Sequence, residues 1–267
     1  MTQALFYRDG DAYVPTELSG GPWSPSHLHG GPPTGLLAYV ASGHAPKFQL
    51  ARLSVDLLRP IPRAPLQTRS EVVRSGQRLR VVATSLYAEG KEVARATALF
   101  LAPQNVVVPG HARYAAVAPP LDTNAPRGSL NTIARWPGSK ATPPGLHTTA
   151  ETVLVDGVEG RGAGCVWMRL PVPLVEGEPL TPTLQAATLA DFGNGVGQLR
   201  LDEDAGCINA DVNLFLHRAP ADGWLGIEAQ SRMESHGRGL VETQLYDRHG
   251  PVGRVVQTIL AMPVYRG

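Results

Sequence analysis

The sequence predicts an α+β fold in which one structural unit occurs twice, and three observations carry that expectation. The apolar runs are short, rich in Val, Leu and Thr, and broken by 29 glycines and 24 prolines. A long segment of the first half is echoed in the second at a near-constant spacing, and each copy is preceded by a stretch with helical periodicity. One helix followed by antiparallel strands, repeated, is the order of an α+β protein and not of an alternating βαβ one.

The strands are read from alternation. Residues Arg52 to Leu58 alternate and end at Arg59-Pro60, and three further runs follow, Leu66–Arg74, Arg78–Ala88 and Glu92–Leu101. Ser75-Gly76-Gln77 and Glu89-Gly90-Lys91 stand between them as turns, which makes this part an antiparallel meander. The repeat pairs VDLLRPIP (55–62) and RSGQRLRVVATSLYAEGKEVARATALFLAP (74–103) with LFLHRAPA (214–221) and SHGRGLVETQLYDRHGPVGRVVQTILAMP (235–263). Aligning Arg59 with Arg218, Leu86 with Leu245 and Ala94 with Gly253 gives an offset of 159.

The first helix is expected over His29–Ala41, with Pro32 and Pro33 in its first turn and apolar residues at 36, 37, 40 and 41. The second is expected over Thr183–Phe192, led by Pro182 and closed by Gly193-Asn194-Gly195. A Pro/Gly-rich stretch lies between the copies, so the expected organisation is an N-terminal domain over 1–103, a linker over 104–144 and a C-terminal domain over 145–267.

Composition narrows the function. With 267 residues, 43% of them hydrophobic, the chain can bury a core. Lys+Arg at 24 nearly balances Asp+Glu at 23, and no basic run would track a phosphate backbone or an anionic membrane, so neither nucleic acid nor membrane is an expected partner. Residues Met1 to Gly10 carry Arg8 and Asp9 and lack the apolar core of a secretory leader, and no run of about 18 apolar residues occurs, so neither secretion nor membrane spanning is expected and a cytoplasmic location is. Cys165 and Cys207 read as packed, reduced thiols without metal-ligand spacing.

The segments HGGPPTGLLA (29–38), RLSVDLLRPIP (52–62), VVRSGQRLRVVATSLYAEGKEVARATALFL (72–101), LADFGNG (189–195), INADVNLFLHRAP (208–220) and GPVGRVVQTILAMP (250–263) resemble the acyl-CoA thioesterase II family. The resemblance covers most of the chain outside the linker. It implies a double hotdog: two fused hotdog repeats, each a long helix wrapped by an antiparallel β-sheet. It implies hydrolysis of fatty-acyl or related acyl thioesters, carried on CoA or a carrier, in a homo-oligomer and without a cofactor. In this family an aspartate on the second helix, a hydroxyl residue before the His-Arg strand and a glutamine in the last strand hold the attacking water. The matching positions here are Asp191, Asn209 and Gln257, with asparagine replacing the family's hydroxyl. An amide can still orient a water.

The repeat weighs these positions independently. Asp191 stands against Ala38, Gln257 against Ala98 and Asn209 against Leu50, so three polar residues of the second copy replace three apolar ones of the first. Buried polar groups need partners, and each other plus a water would serve; independent satisfaction in the core, or for Asp191 a solvent-facing or capping role, is the plainer alternative. Gly30 and Gly31 open the first helix, where free N–H groups favour a developing oxyanion, whereas Pro182 near the equivalent place has no N–H. Close packing is the other explanation for the glycine pair. His29 is expected to shape the helix start; with His27 it lacks a nearby acidic or Cys partner for a metal.

No Gly-x-Ser-x-Gly elbow supports a serine nucleophile. His217-Arg218 could anchor a CoA or carrier phosphate or equally serve a strand end, and Asp202-Glu203-Asp204 reads as a solvated loop. Rival functions are a non-catalytic acyl-CoA or acyl-carrier binding protein, and an acyl-thioester hydratase or dehydratase. The second is disfavoured by the lack of a His-Asp pair near the second helix.

Overall fold

The computed structural model describes residues 3–113, 117–122, 124–133, 143–202, 205–221 and 223–263. Glu203, Asp204 and parts of the expected linker (114–116, 123 and 134–142) lie outside the described residues.

Two short strands, β1 (Phe6–Asp9) and β2 (Ala12–Pro15), precede helix α1 (Gly31–Gly43). Strands β3 (Gln49–Leu57), β4 (Leu66–Ser75), β5 (Leu79–Ala88) and β6 (Lys91–Leu101) follow. Two four-residue helices, α2 (Leu130–Ile133) and α3 (Leu146–Thr149), lead to β7 (Glu151–Gly157) and β8 (Ala163–Arg169). Helices α4 (Pro182–Leu189) and α5 (Gly193–Val196) are joined by a 3₁₀ turn at Ala190–Phe192. The chain ends in β9 (Ala205–Asn209), β10 (Asp211–Leu216), β11 (Leu225–Met233), β12 (Arg238–Asp247) and β13 (Gly250–Pro263).

All described strands join one antiparallel sheet in the order β1-β2-β4-β5-β6-β3-β10-β13-β12-β11-β8-β7, with β9 also on β13. The order reads the same from either end once β10 is matched to β3, β13 to β6, β12 to β5 and β11 to β4. Register carries the correspondence to single residues: Leu50 pairs with Phe100 and Asn209 with Ile259, while Thr84 pairs with Ala96 and Thr243 with Val255. Even a bulge recurs, between Leu86 and Tyr87 in one half and between Leu245 and Tyr246 in the other. At the seam β3 runs against β10 with Ser54 opposite Asn213, so a residue meets its own counterpart at the offset of 159. Only a local twofold axis through that pair produces this.

Helices α1 and α4 pack against each other on one face of the sheet. Their crossing is close: a Cβ at Gly35 would collide with Thr188 Oγ1, so only glycine fits there. Leu36, Leu37, Ala38 and Ala41 of α1 and Ala186, Ala187 and Leu189 of α4 are buried in the main core with inward residues such as Leu53, Leu86, Leu214 and Leu245. The opposite face of the C-terminal half carries a smaller cluster, Val153, Trp167 and Tyr246, against which Ala118, Leu121 and Ala125 pack.

Two helix expectations need correction. The first helix begins at Gly31, with Gly30 as its N-cap, and extends two residues past Ala41. The second does not close at Gly193-Asn194-Gly195, which form α5 after the 3₁₀ turn. Gly193 keeps helical angles, φ −49° and ψ −50°, and the Asn194 N–H donates to Gln257 Oε1 from β13 at 3.2 Å. A side chain from the sheet thus accepts a bond where the helix changes its winding.

Candidate active site

The break between α4 and α5 puts Asp191 on the tight turn, 6% exposed, facing the start of α1. Asn209, the last residue of β9, donates from Nδ2 to Asp191 Oδ1 at 2.7 Å. Gln257, fully buried on β13, extends Nε2 toward the same oxygen at 3.5 Å. From the other half, His29 places Nδ1 2.8 Å from Asp191 Oδ2. Gly31 N lies 3.1 Å from His29 Nδ1 and also bonds the Asp191 carboxylate.

One nitrogen cannot accept from Gly31 and present a lone pair to an ionised carboxylate. The consistent tautomer carries its proton on Nδ1, so that both His29 and Gly31 donate to Asp191. Burial alone would raise the Asp191 carboxyl. The His29 imidazole, the Asn209 amide and the Gly31 N–H outweigh it, holding the carboxyl below its ordinary value. Asp191 is therefore ionised at neutral pH.

The structure thus brings together Asp191, Asn209, Gln257, His29, Gly30 and Gly31, drawn from both halves. Gly31 N–H is engaged by the carboxylate cluster, whereas Gly30 N–H has no hydrogen-bond partner among the described residues. Gly30 itself is pressed on Asp191, since a Cβ there would lie 2.7 Å from Oδ2. Asn209 Oδ1 is buried and unpaired among the described residues, leaving an acceptor beside the carboxylate.

Several neighbours escaped sequence reasoning. Phe192 packs on the His29 ring at 4.8 Å between centroids, and His147 of α3 lies nearly parallel to it at 6.5 Å. Burial, with His29 nearby, pushes the His147 imidazole down to about 4, so it is neutral beside the pair. Nothing local in the sequence marks His147. Asn194 was hidden by its apparent place in a terminating turn. The His29–Asp191 pair removes the ground on which a hydratase was disfavoured, because its partners come from different halves and not from the second helix alone.

Other residues singled out by the sequence have plain structural settings. Arg218 grips the buried Asp247 carboxylate through both oxygens, one bond at 2.6 Å, and His217 contacts Pro251 O at 3.0 Å, which fits the strand-end role. Burial pushes the Cys165 thiol up to about 12 and raises Cys207 too, so neither is an activated nucleophile. Among the described residues no three His, Cys, Asp or Glu side chains gather as a metal site, and no helix is long and apolar enough to cross a membrane.

A sheet of this topology with two helices on one face is a hotdog-type fold, and solved structures match it along nearly the whole chain. A protein of unknown function with a hot dog fold from Alicyclobacillus acidocaldarius superposes with a TM-score of 0.72 at 17% identity, covering 96% of this chain and 95% of that one. An acyl-CoA thioesterase II from Mycobacterium marinum superposes with a TM-score of 0.67 at 19% identity, covering 97% and 94%. No curated protein matches the chain. Residues 19–101 match the acyl-CoA thioesterase N-terminal domain and residues 118–261 the acyl-CoA thioesterase C-terminal domain, and the chain belongs to this family. Family and fold together suggest thioester hydrolysis.

Proposed function

We propose that the protein is an acyl-CoA thioesterase built from two fused hotdog units, 1–103 and 145–267 joined by 104–144, with one working site per chain. The observation that carries this reading is the buried carboxylate of Asp191, held between the halves by Asn209, Gln257 and His29. The acyl thioester lies along the helix pair with its carbonyl at the start of α1, where Gly30 N–H polarises it. Water sits against Asp191, its hydrogens accepted by the carboxylate and by Asn209 Oδ1. As the water oxygen bonds the carbonyl carbon its proton passes to Asp191. Collapse of the tetrahedral intermediate breaks the C–S bond, releasing the acid and a thiolate that recovers the proton. A carboxyl held low is a weak base, so alignment of the water contributes at least as much as proton removal. The substrate is a fatty-acyl or related thioester of CoA or an acyl carrier, no cofactor takes part, and the working form is a cytoplasmic homo-oligomer.

The His29–Asp191 pair at 2.8 Å supports a second reading, hydration of an enoyl thioester by the same water. A thiol-release assay over acyl-CoAs of increasing chain length decides. Free thiol with kcat at least ~10²-fold lower in Asp191→Asn is expected. Enoyl absorbance change without thiol release would establish hydration, and saturable binding without either would leave a non-catalytic acyl-CoA binder. Wild-type turnover in Asp191→Asn would remove Asp191 from the mechanism.

A further inference from the structure

The two halves also differ in the partner of one buried hydroxyl. Thr84 on β5 and Thr243 on β12 are counterparts, each almost fully buried and each opposite a neighbouring strand: Ser70 faces Thr84, and Ala229 faces Thr243. In the N-terminal half the two hydroxyls bond at 3.2 Å. In the C-terminal half alanine offers nothing, and Thr243 Oγ1 is buried without a partner among the described residues. It faces the site instead. Thr243 Oγ1 and Gln257 Oε1 each lie 2.5 Å from the point where a Cβ on Gly193 would stand. The two oxygens are thus no more than about 5 Å apart, a span that one bridging water or a modest side-chain adjustment closes.

Gln257 needs such a donor. Its Oε1 accepts one bond, from Asn194 N–H at 3.2 Å, and its Nε2 reaches Asp191 only at 3.5 Å. A second donor at Oε1 would set the plane of the amide and aim the Nε2 hydrogens at the carboxylate and its water. We infer that Thr243 is a positioning residue whose hydroxyl, unpaired by the loss of its strand partner, holds the Gln257 amide in its working orientation. This rests on the hydrolytic water site proposed above, to which it adds a residue that touches neither the substrate nor the attacking water.

The test is a double-mutant cycle in the full-length protein, read by thiol release and thermal unfolding. Thr243→Val keeps the shape and removes the hydroxyl; kcat should fall about fivefold with KM unchanged and no loss of Tm, and Thr243→Ser should restore turnover. On a Gln257→Ala background, Thr243→Val should have no further effect, because the residue it positions is gone. The inference is overturned if Thr243→Val turns over like wild type while Asp191→Asn and Gln257→Ala are impaired, or if its loss persists undiminished on Gln257→Ala. If Asp191→Asn and Gln257→Ala both retain wild-type turnover, the water site itself fails and the inference with it.

Discussion

Replacing Gly30 with alanine probes the site with a single methyl group. Gly30 has φ −66° and ψ −21°, angles that alanine adopts freely, so the backbone raises no objection. The new Cβ would stand 2.7 Å from Asp191 Oδ2 and 3.0 Å from Cγ and Oδ1, against ordinary contact that begins at 3.4 Å. Relief requires the carboxylate to retreat by roughly 0.7 Å, the gap between the crowded and the ordinary distance. A retreat of that size stretches or breaks the bonds from His29 at 2.8 Å and Asn209 at 2.7 Å. Misplacement approaching 1 Å costs up to ~10² in rate, so kcat should fall between about 10- and 100-fold. Weakening two hydrogen bonds to a buried charge costs about 1.5–3 kcal/mol, offset by about 0.5–1 kcal/mol because alanine restricts the unfolded chain. The net effect on Tm is then a few degrees at most. Steady-state thiol release and a thermal melt measure both. Gly43→Ala is the matched control at the far end of α1, where a Cβ meets nothing within 4 Å, and its turnover should be unchanged. Wild-type kcat in Gly30→Ala would refute the claim that chemistry depends on where this carboxylate sits.

Two further substitutions test the electrostatics. Asn209→Leu installs the residue found at the matching place in the N-terminal half and removes one of the bonds holding the Asp191 carboxyl low. Asp191 should then protonate at higher pH and kcat should drop, moving the acid limb of the kcat/KM profile upward; an unmoved limb rules this out. His147→Gln addresses stability: the native imidazole titrates at about 4 and an unfolded histidine near its ordinary 6.5, so between these values the unfolded chain binds a proton that the native one refuses. Stability is full above pH 6.5 and falls by about 3 kcal/mol as pH drops to 4. Denaturant titrations across that window should show this loss diminished in His147→Gln, and an identical pH dependence would show that the burden lies elsewhere.

The strands β3, β5 and β6 were legible because buried apolar residues alternate along them with more exposed ones, and because glycine turns punctuate the meander. The offset of 159 was legible because one register serves both halves, down to the bulge beside Leu86 and Leu245. Asp191, Asn209 and Gln257 were visible as polar residues standing where their counterparts are apolar. The 3₁₀ break at Ala190–Phe192 was not, since it depends on an acceptor from Gln257, 63 residues beyond the Asn194 N–H it receives. The His29–Asp191 pair and the His147 ring escaped for the same reason, being contacts between segments whose spacing in sequence carries no period. Thr243 could have been found: its signal is the exchange of Ser70 for Ala229, a partner lost and not a residue gained.

The seam where Ser54 meets Asn213 has a further consequence. In a symmetric pair of identical chains every substitution appears twice, so a change that improves one cleft and harms the other is felt as both. With the two units on one polypeptide, Asp191 arises without forcing a carboxylate onto position 38, and the glycine pair at 30–31 persists without denying Pro182 to the other helix. Covalent continuity makes the asymmetry heritable, and the two units are then free to specialise, one contributing the helix start and the other the charge.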